Sequence, residues 1–157
     1  MTLAITKSVC ASLLGVSLLT VALSAAADQK IMPGSTCSAR NPQSDTVVID
    51  STGIRASGGT RTVYCPVLRD STTGSLFNIN VGIGGDGDQV DCTLYARSFA
   101  NPDGSGQWDG TSASVTPDDF AVMVMPLSGF DESTYRGYTL RCVLPNGSWV
   151  HGFQWDE

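Results

Sequence analysis

Residues 76–96 read Leu76-Phe77-Asn78-Ile79-Asn80-Val81-Gly82-Ile83, then Gly84-Gly85-Asp86-Gly87-Asp88, then Gln89-Val90-Asp91-Cys92-Thr93-Leu94-Tyr95-Ala96. In the first part Phe77, Ile79, Val81 and Ile83 alternate with Asn78, Asn80 and Gly82. Successive side chains of a strand point to opposite faces, so this pattern describes a half-buried strand. The Gly-rich middle is a turn, because Gly takes positive φ freely. The last part alternates again: Val90, Cys92, Leu94 and Ala96 face inward, and Asp91, Thr93 and Arg97 face outward. The expected unit is a β-hairpin.

The same signals recur on both sides. Thr46-Val47-Val48-Ile49-Asp50 is a short strand rich in β-branched residues. Ser51–Thr60, with Gly53, Gly58 and Gly59, reads as a loop. Arg61–Val67 is a strand in which Pro66 lacks an N–H, so it lies at an edge or ends there. Asn101–Ser114 reads as a long Gly/Ser/Asp loop around Trp108, and Phe120–Leu127 as a strand. Tyr138, Leu140, Cys142 and Leu144 alternate with polar residues, and Asn146-Gly147 signals a hairpin. Trp149, His151, Phe153 and Trp155 then share one face, with the three larger aromatic residues assigned to the core. No stretch carries a capped 3.6-residue period. About seven strands in one domain imply an all-β fold, an antiparallel two-sheet β-sandwich.

The chain has 157 residues, 9 Lys+Arg, 15 Asp+Glu and a formal net charge of -6. With no basic cluster it lacks the charge that a nucleic-acid partner demands. Residues 1–27 resemble a signal peptide: Lys7 is their one charge, Leu13–Leu19 form a short apolar core, and Ala25-Ala26-Ala27 offers a cleavage site. Removing them leaves 157 − 27 = 130 residues and a charge of 8 − 15 = -7. No membrane span then remains, and the expected location is secreted or periplasmic. Residues 28–45 read as an extended lead-in and 46–157 as the sandwich domain, expected to be a monomer.

Four cysteines remain, Cys37, Cys65, Cys92 and Cys142, an even number that reads as two disulfides in an exported chain. Three connectivities are possible. Cys92 and Cys142 both face inward on central strands and precede a Leu by two residues, which favours Cys92–Cys142 and leaves Cys37–Cys65.

The layout resembles a loose family of short, exported bacterial proteins of no assigned activity. The matching stretches are Gly53-Ile54, Val63-Tyr64-Cys65-Pro66, Val90-Asp91-Cys92 and Cys142-Val143-Leu144-Pro145. Arg55 stands where the family pattern has Asn. The resemblance implies a disulfide-tied β-sandwich and export, and it supplies no catalytic residues.

Chemistry is poorly provided for. His151 is the sole histidine and no Gly-x-Ser-x-Gly elbow exists, so a serine-hydrolase set is missing. Asp118-Asp119 and Asp131-Glu132 sit at opposite ends of one strand, too far apart for a paired-carboxylate glycosidase. Asn101, Asp103, Ser105 and Asp109 imitate a calcium loop, but Ser112 stands where a bidentate Glu belongs. No cofactor is expected, with calcium the one weak candidate. Trp108, with Asp103 and Asp109 beside it, is the candidate binding site, since an exposed Trp stacks on sugar rings or anchors a protein. The expected role is non-enzymatic: a surface or matrix module for glycan or protein. The competing readings are a secreted hydrolase using acids near 101–119, and a structural envelope protein self-assembling through an edge strand such as Arg61–Val67.

Overall fold

The computed structural model describes residues 29–42, 46–68, 78–98, 108–127 and 135–156; for Arg97, Ser98, Trp108, Asp109, Tyr135 and Arg136 it describes the backbone alone. The signal-like segment and residues 99–107 lie outside the described residues. Eleven strands are described: β1 (Gln29–Pro33), β2 (Ser38–Ala39), β3 (Val47–Asp50), β4 (Gly53–Ala56), β5 (Arg61–Val67), β6 (Asn78–Asp86), β7 (Val90–Ser98), β8 (Trp108–Val115), β9 (Asp118–Pro126), β10 (Tyr135–Leu144) and β11 (Trp149–Asp156). They form two antiparallel sheets. Sheet A runs β3-β4-β11-β6-β9, with β1 also pairing β11, and sheet B runs β2-β5-β10-β7-β8. The fold is the expected two-sheet β-sandwich. The extra strands come from the lead-in, which gives β1 to one sheet and β2 to the other, and from two stretches read as loops, which hold β4 and β8.

The expected hairpins are not hairpins. β6 belongs to sheet A and β7 to sheet B, and β10 and β11 divide in the same way. Among the described strands, the sequential pairs that lie side by side are β3–β4 and β7–β8. Alternation cannot distinguish the two cases. A strand beside its predecessor and a strand facing it across the core both bury every second residue. At the β10–β11 connection, Ser148 N–H donates to Pro145 O at 3.1 Å, so Asn146-Gly147 does make a tight turn. Its backbone then bonds to the end of β4 rather than continuing a ladder: Ala56 N–H donates to Ser148 O and Gly147 N–H to Ala56 O. At the β6–β7 connection, Gly84, Gly85 and Asp86 still belong to β6, so the turn starts at Gly87.

The core lies between the sheets. Ile79, Val81 and Ile83 meet Val90, Leu94, Leu140 and Leu144, all fully buried. Burying each such side chain contributes about 1.5–3 kcal/mol. Both disulfides are present, Cys37–Cys65 and Cys92–Cys142, each with Cα atoms 4.1 Å apart. Cys92–Cys142 lies within sheet B, and Cys37–Cys65 ties the residue before β2 to β5 of the same sheet. Cys92 and Cys142 are register partners on β7 and β10, and Cys37 stands one step beyond the Ser38–Tyr64 pair of β2 and β5. β5 is therefore no free edge: β10 pairs it along its length and β2 covers Val63 and Tyr64. Pro66 falls beyond the two-residue β2, where no ladder donor is needed.

Two face assignments change on β11, those of Trp149 and His151. Its register with β6 passes from Val150↔Ile83 to Gly152↔Gly82, so His151 is the extra residue of a β-bulge. The bulge reverses the alternation. Val150, Phe153 and Trp155 are buried, whereas Trp149 is half-buried on the outer face. Phe153 and Trp155 are core, stacked with centroids 5.8 Å apart, but Trp149 is not part of that core face.

Candidate functional site

The outer face of sheet A carries a groove across four strands. Ile31 on β1 is opposite Gln154 on β11, which is opposite Asn80 on β6, which is opposite Val124 on β9. The next rung reads Pro33, Gly152, Gly82 and Val122. Two glycines side by side leave the middle of this rung without side chains, and that gap is the floor. The cavity has a volume of ≈ 210 Å³ and is lined by Ile31, Asn80, Gly82, Phe120, Val122, His151, Gly152, Phe153 and Gln154.

Its walls differ in chemistry. Phe120 leans over the floor, since a Cβ on Gly82 would lie 3.2 Å from its Cζ. Phe120 is 52% exposed and meets His151 edge-on at 6.1 Å between centroids. Across the floor stand the Asn80 and Gln154 amides, each able to donate two hydrogen bonds and accept others. His151 Nδ1–H donates to Thr52 O at 2.8 Å, which fixes the ring and leaves Nε2 for a ligand. Beside the groove, the Trp149 indole lies on Gly84, where an added Cβ would collide with the ring. The Arg55 guanidinium covers it at 4.6 Å from the ring centroid, a cation–π contact. Both faces of Trp149 are thus occupied.

The β3–β4 turn supports this rim. Thr52 donates to Asp50 Oδ1 through its N–H at 2.7 Å and its hydroxyl at 2.5 Å. These bonds, the side-chain one first, hold the Asp50 carboxyl below its usual 3.8. Gly53 closes the turn at φ 131, and an added Cβ would strike the Val150 carbonyl.

Among the described residues that line the groove, none is a candidate binding or metal residue read from the sequence. Asn101, Asp103 and Ser105 fall outside the described residues. Trp108 does not sit in a loop: its backbone pairs with Arg97 at the start of β8, and Asp109 pairs with Ala96. Asp109 and Ser112, the last two positions of the calcium-like spacing, run along this extended strand. Asp118 and Asp119 are exposed at the start of β9, opposite Asp86 and Gly85 of sheet A. Ser148 is buried in the turn with no partner for its hydroxyl, while His151 is exposed on the outer face.

The groove residues were missed because they carry no motif. One signal was available. Phe120-Ala121-Val122-Met123-Val124-Met125 is apolar at every position, so both faces of that strand are apolar. Met123 and Met125 fill the core, and Phe120, Val122 and Val124 are left on the surface.

No family model matches the chain. No curated protein matches its sequence. Among solved structures it is similar to one described as the xylan-binding module CBM15, at a TM-score of 0.50 and 12% identity, over 83% of this chain and 96% of that one. It is also similar to the CBM22-1 xylan-binding domain from Paenibacillus barcinonensis Xyn10C, at a TM-score of 0.48 and 12% identity over 84% and 92% of the two chains. A family 11 carbohydrate-binding module of Clostridium thermocellum matches at a TM-score of 0.40 and 14% identity, over 85% and 87%. The likeness is one of fold. No helix among the described residues is long and apolar enough to cross a membrane.

Proposed function

We propose that the protein is an exported, non-catalytic module that holds a glycan in the groove of sheet A. The carrying observation is the Gly82–Gly152 floor between an aromatic wall and an amide pair. A sugar ring has an apolar C–H face and a rim of hydroxyls. Phe120 offers a face for the first by stacking, and Asn80, Gln154 and His151 Nε2 offer donors and acceptors for the second. A few placed polar groups in an apolar concavity are the usual make-up of a small-ligand site. The sandwich shared with a xylan-binding module supports the reading. So do the two disulfides, which suit an oxidising compartment outside the cytoplasm. The separation of buried Ser148 from exposed His151 supports a non-enzymatic role.

Affinity gel electrophoresis on xylan, mixed-linkage β-glucan and other neutral polysaccharides tests it. At least one should retard the wild-type chain. Phe120→Ala should weaken that binding at least ten-fold, and Gly82→Leu should abolish it by filling the floor. Retention unchanged in both variants, or by no neutral polysaccharide, overturns the reading.

A further inference from the structure

The opposite face of the sandwich carries a second concavity of different chemistry. It has a volume of ≈ 400 Å³ and is lined by Arg40, Tyr64, Tyr95 and Arg141. We propose that this face of sheet B binds a saccharide carrying carboxylates, an oligomer of uronic acid units.

The strands set the order of these side chains. Tyr64 on β5 is the register partner of Arg141 on β10. Arg141 is also the partner of Thr93 on β7, so Tyr95, two residues along, is its diagonal neighbour. On the other side Ser38 is the partner of Tyr64, and Arg40 N–H donates to Thr62 O at 2.9 Å. Arg40 is therefore the diagonal neighbour of Tyr64. The diagonal reads Arg40 just past β2, Tyr64 on β5, Arg141 on β10 and Tyr95 on β7, with cation and ring alternating. Strand spacing and the two-residue offset put the Cα atoms of the two arginines about 12 Å apart, with Tyr64 between them.

This alternation selects a ligand class. A guanidinium fork matches a carboxylate bidentately. A Tyr ring offers a face to a sugar ring and a hydroxyl to its rim. A uronic acid unit presents both features at once. The chain as a whole has a net charge of -6, yet this lining holds two arginines and, among the described residues, no carboxylate. Asp91, the acid on β7, accepts instead from Gln89 Nε2 at 2.7 Å. Thr93 Oγ1 and Ser112 Oγ lie 2.9 Å apart beside the row, extending it with hydroxyls. This inference does not rest on the groove of sheet A.

Isothermal titration calorimetry at low salt with trigalacturonate tests it. Binding is expected, falling as sodium chloride is raised. Arg40→Gln and Arg141→Gln should each weaken it at least ten-fold, with near-UV circular dichroism unchanged. The carboxyl-reduced trisaccharide should not bind. Phe120→Ala, on the other face, should leave trigalacturonate affinity unchanged, which separates this site from the neutral-glycan reading. No binding, equal binding of the carboxyl-reduced form, or insensitivity to both arginine substitutions overturns the proposal. So does equal affinity for a sulfated trisaccharide, since that assigns the face to anions at large.

Discussion

The two sheets hold their strands by different means. Both disulfides pin sheet B: Cys92–Cys142 joins β7 to β10, and Cys37–Cys65 ties the residue before β2 to β5. Sheet A has no cysteine among its described strands, and its strands meet through glycines. Gly53 lies against the Val150 carbonyl and Gly84 lies under the Trp149 ring. The cysteines of sheet B take inward positions, and the outward positions beside them carry the Tyr and Arg row. Close backbone approach in sheet A removes side chains from the outer face, and the missing side chains become a groove. The two sheets thus differ both in how they are held and in what their outer faces present.

The largest expected effect comes from removing the staple of sheet B. Cys92→Ala with Cys142→Ala should lower stability by about 2–4 kcal/mol, as the unfolded chain gains the freedom of an opened loop. Urea unfolding gives the magnitude. Hydrogen exchange locates it: amides of β7 and β10 should speed up more than those of β6 and β11. Equal acceleration in both sheets would mean that the disulfide acts on the whole sandwich and that the contrast is wrong.

A smaller effect should follow from crowding sheet A. Gly84→Ala places a methyl group where the Trp149 ring now lies. The indole must lift away and part from Arg55, and overpacking of this kind costs about 1–3 kcal/mol. Tryptophan fluorescence should shift to the red as Trp149 becomes wetter, with the stacked pair of Phe153 and Trp155 preserved. An unchanged spectrum would show that the ring is not seated on the glycine.

These contrasts were only partly legible in the sequence. Period-two alternation marked Ile79, Val81, Ile83, Val90, Cys92 and Leu94 as inward-facing, and all six are buried. Inward cysteines on central strands also pointed to the Cys92–Cys142 bond. Alternation carries no information about which sheet the next strand joins, so the connections across the core read as hairpins. The bulge at His151 was invisible for a related reason. One inserted residue shifts the parity of everything before it, and nothing in Trp149-Val150-His151-Gly152 announces the insertion. The groove depends on that bulge and on a glycine pair contributed by strands 70 residues apart, 152 − 82, so no local pattern shows it.

The smallest effect probes how the rim of the groove is set. Asp50 anchors the turn whose Thr52 carbonyl holds His151. Its carboxyl lies below 3.8, first through the Thr52 hydroxyl and next through the Thr52 N–H. A depressed folded value means that ionised Asp50 favours the folded turn. That contribution is present above pH 3.8 and is lost as the pH falls through the lower folded value. The group is fully exposed, so the effect should be seen in the local titration and not in global unfolding. Carbon-detected NMR should place the Asp50 midpoint below 3.8 in the wild type, and Thr52→Val should move it upward by removing the larger cause. The His151 ring resonances should shift over the same pH range, because its Nδ1–H bond ends on the same turn. His151 signals that ignore the protonation of Asp50 would mean that the turn does not position the imidazole.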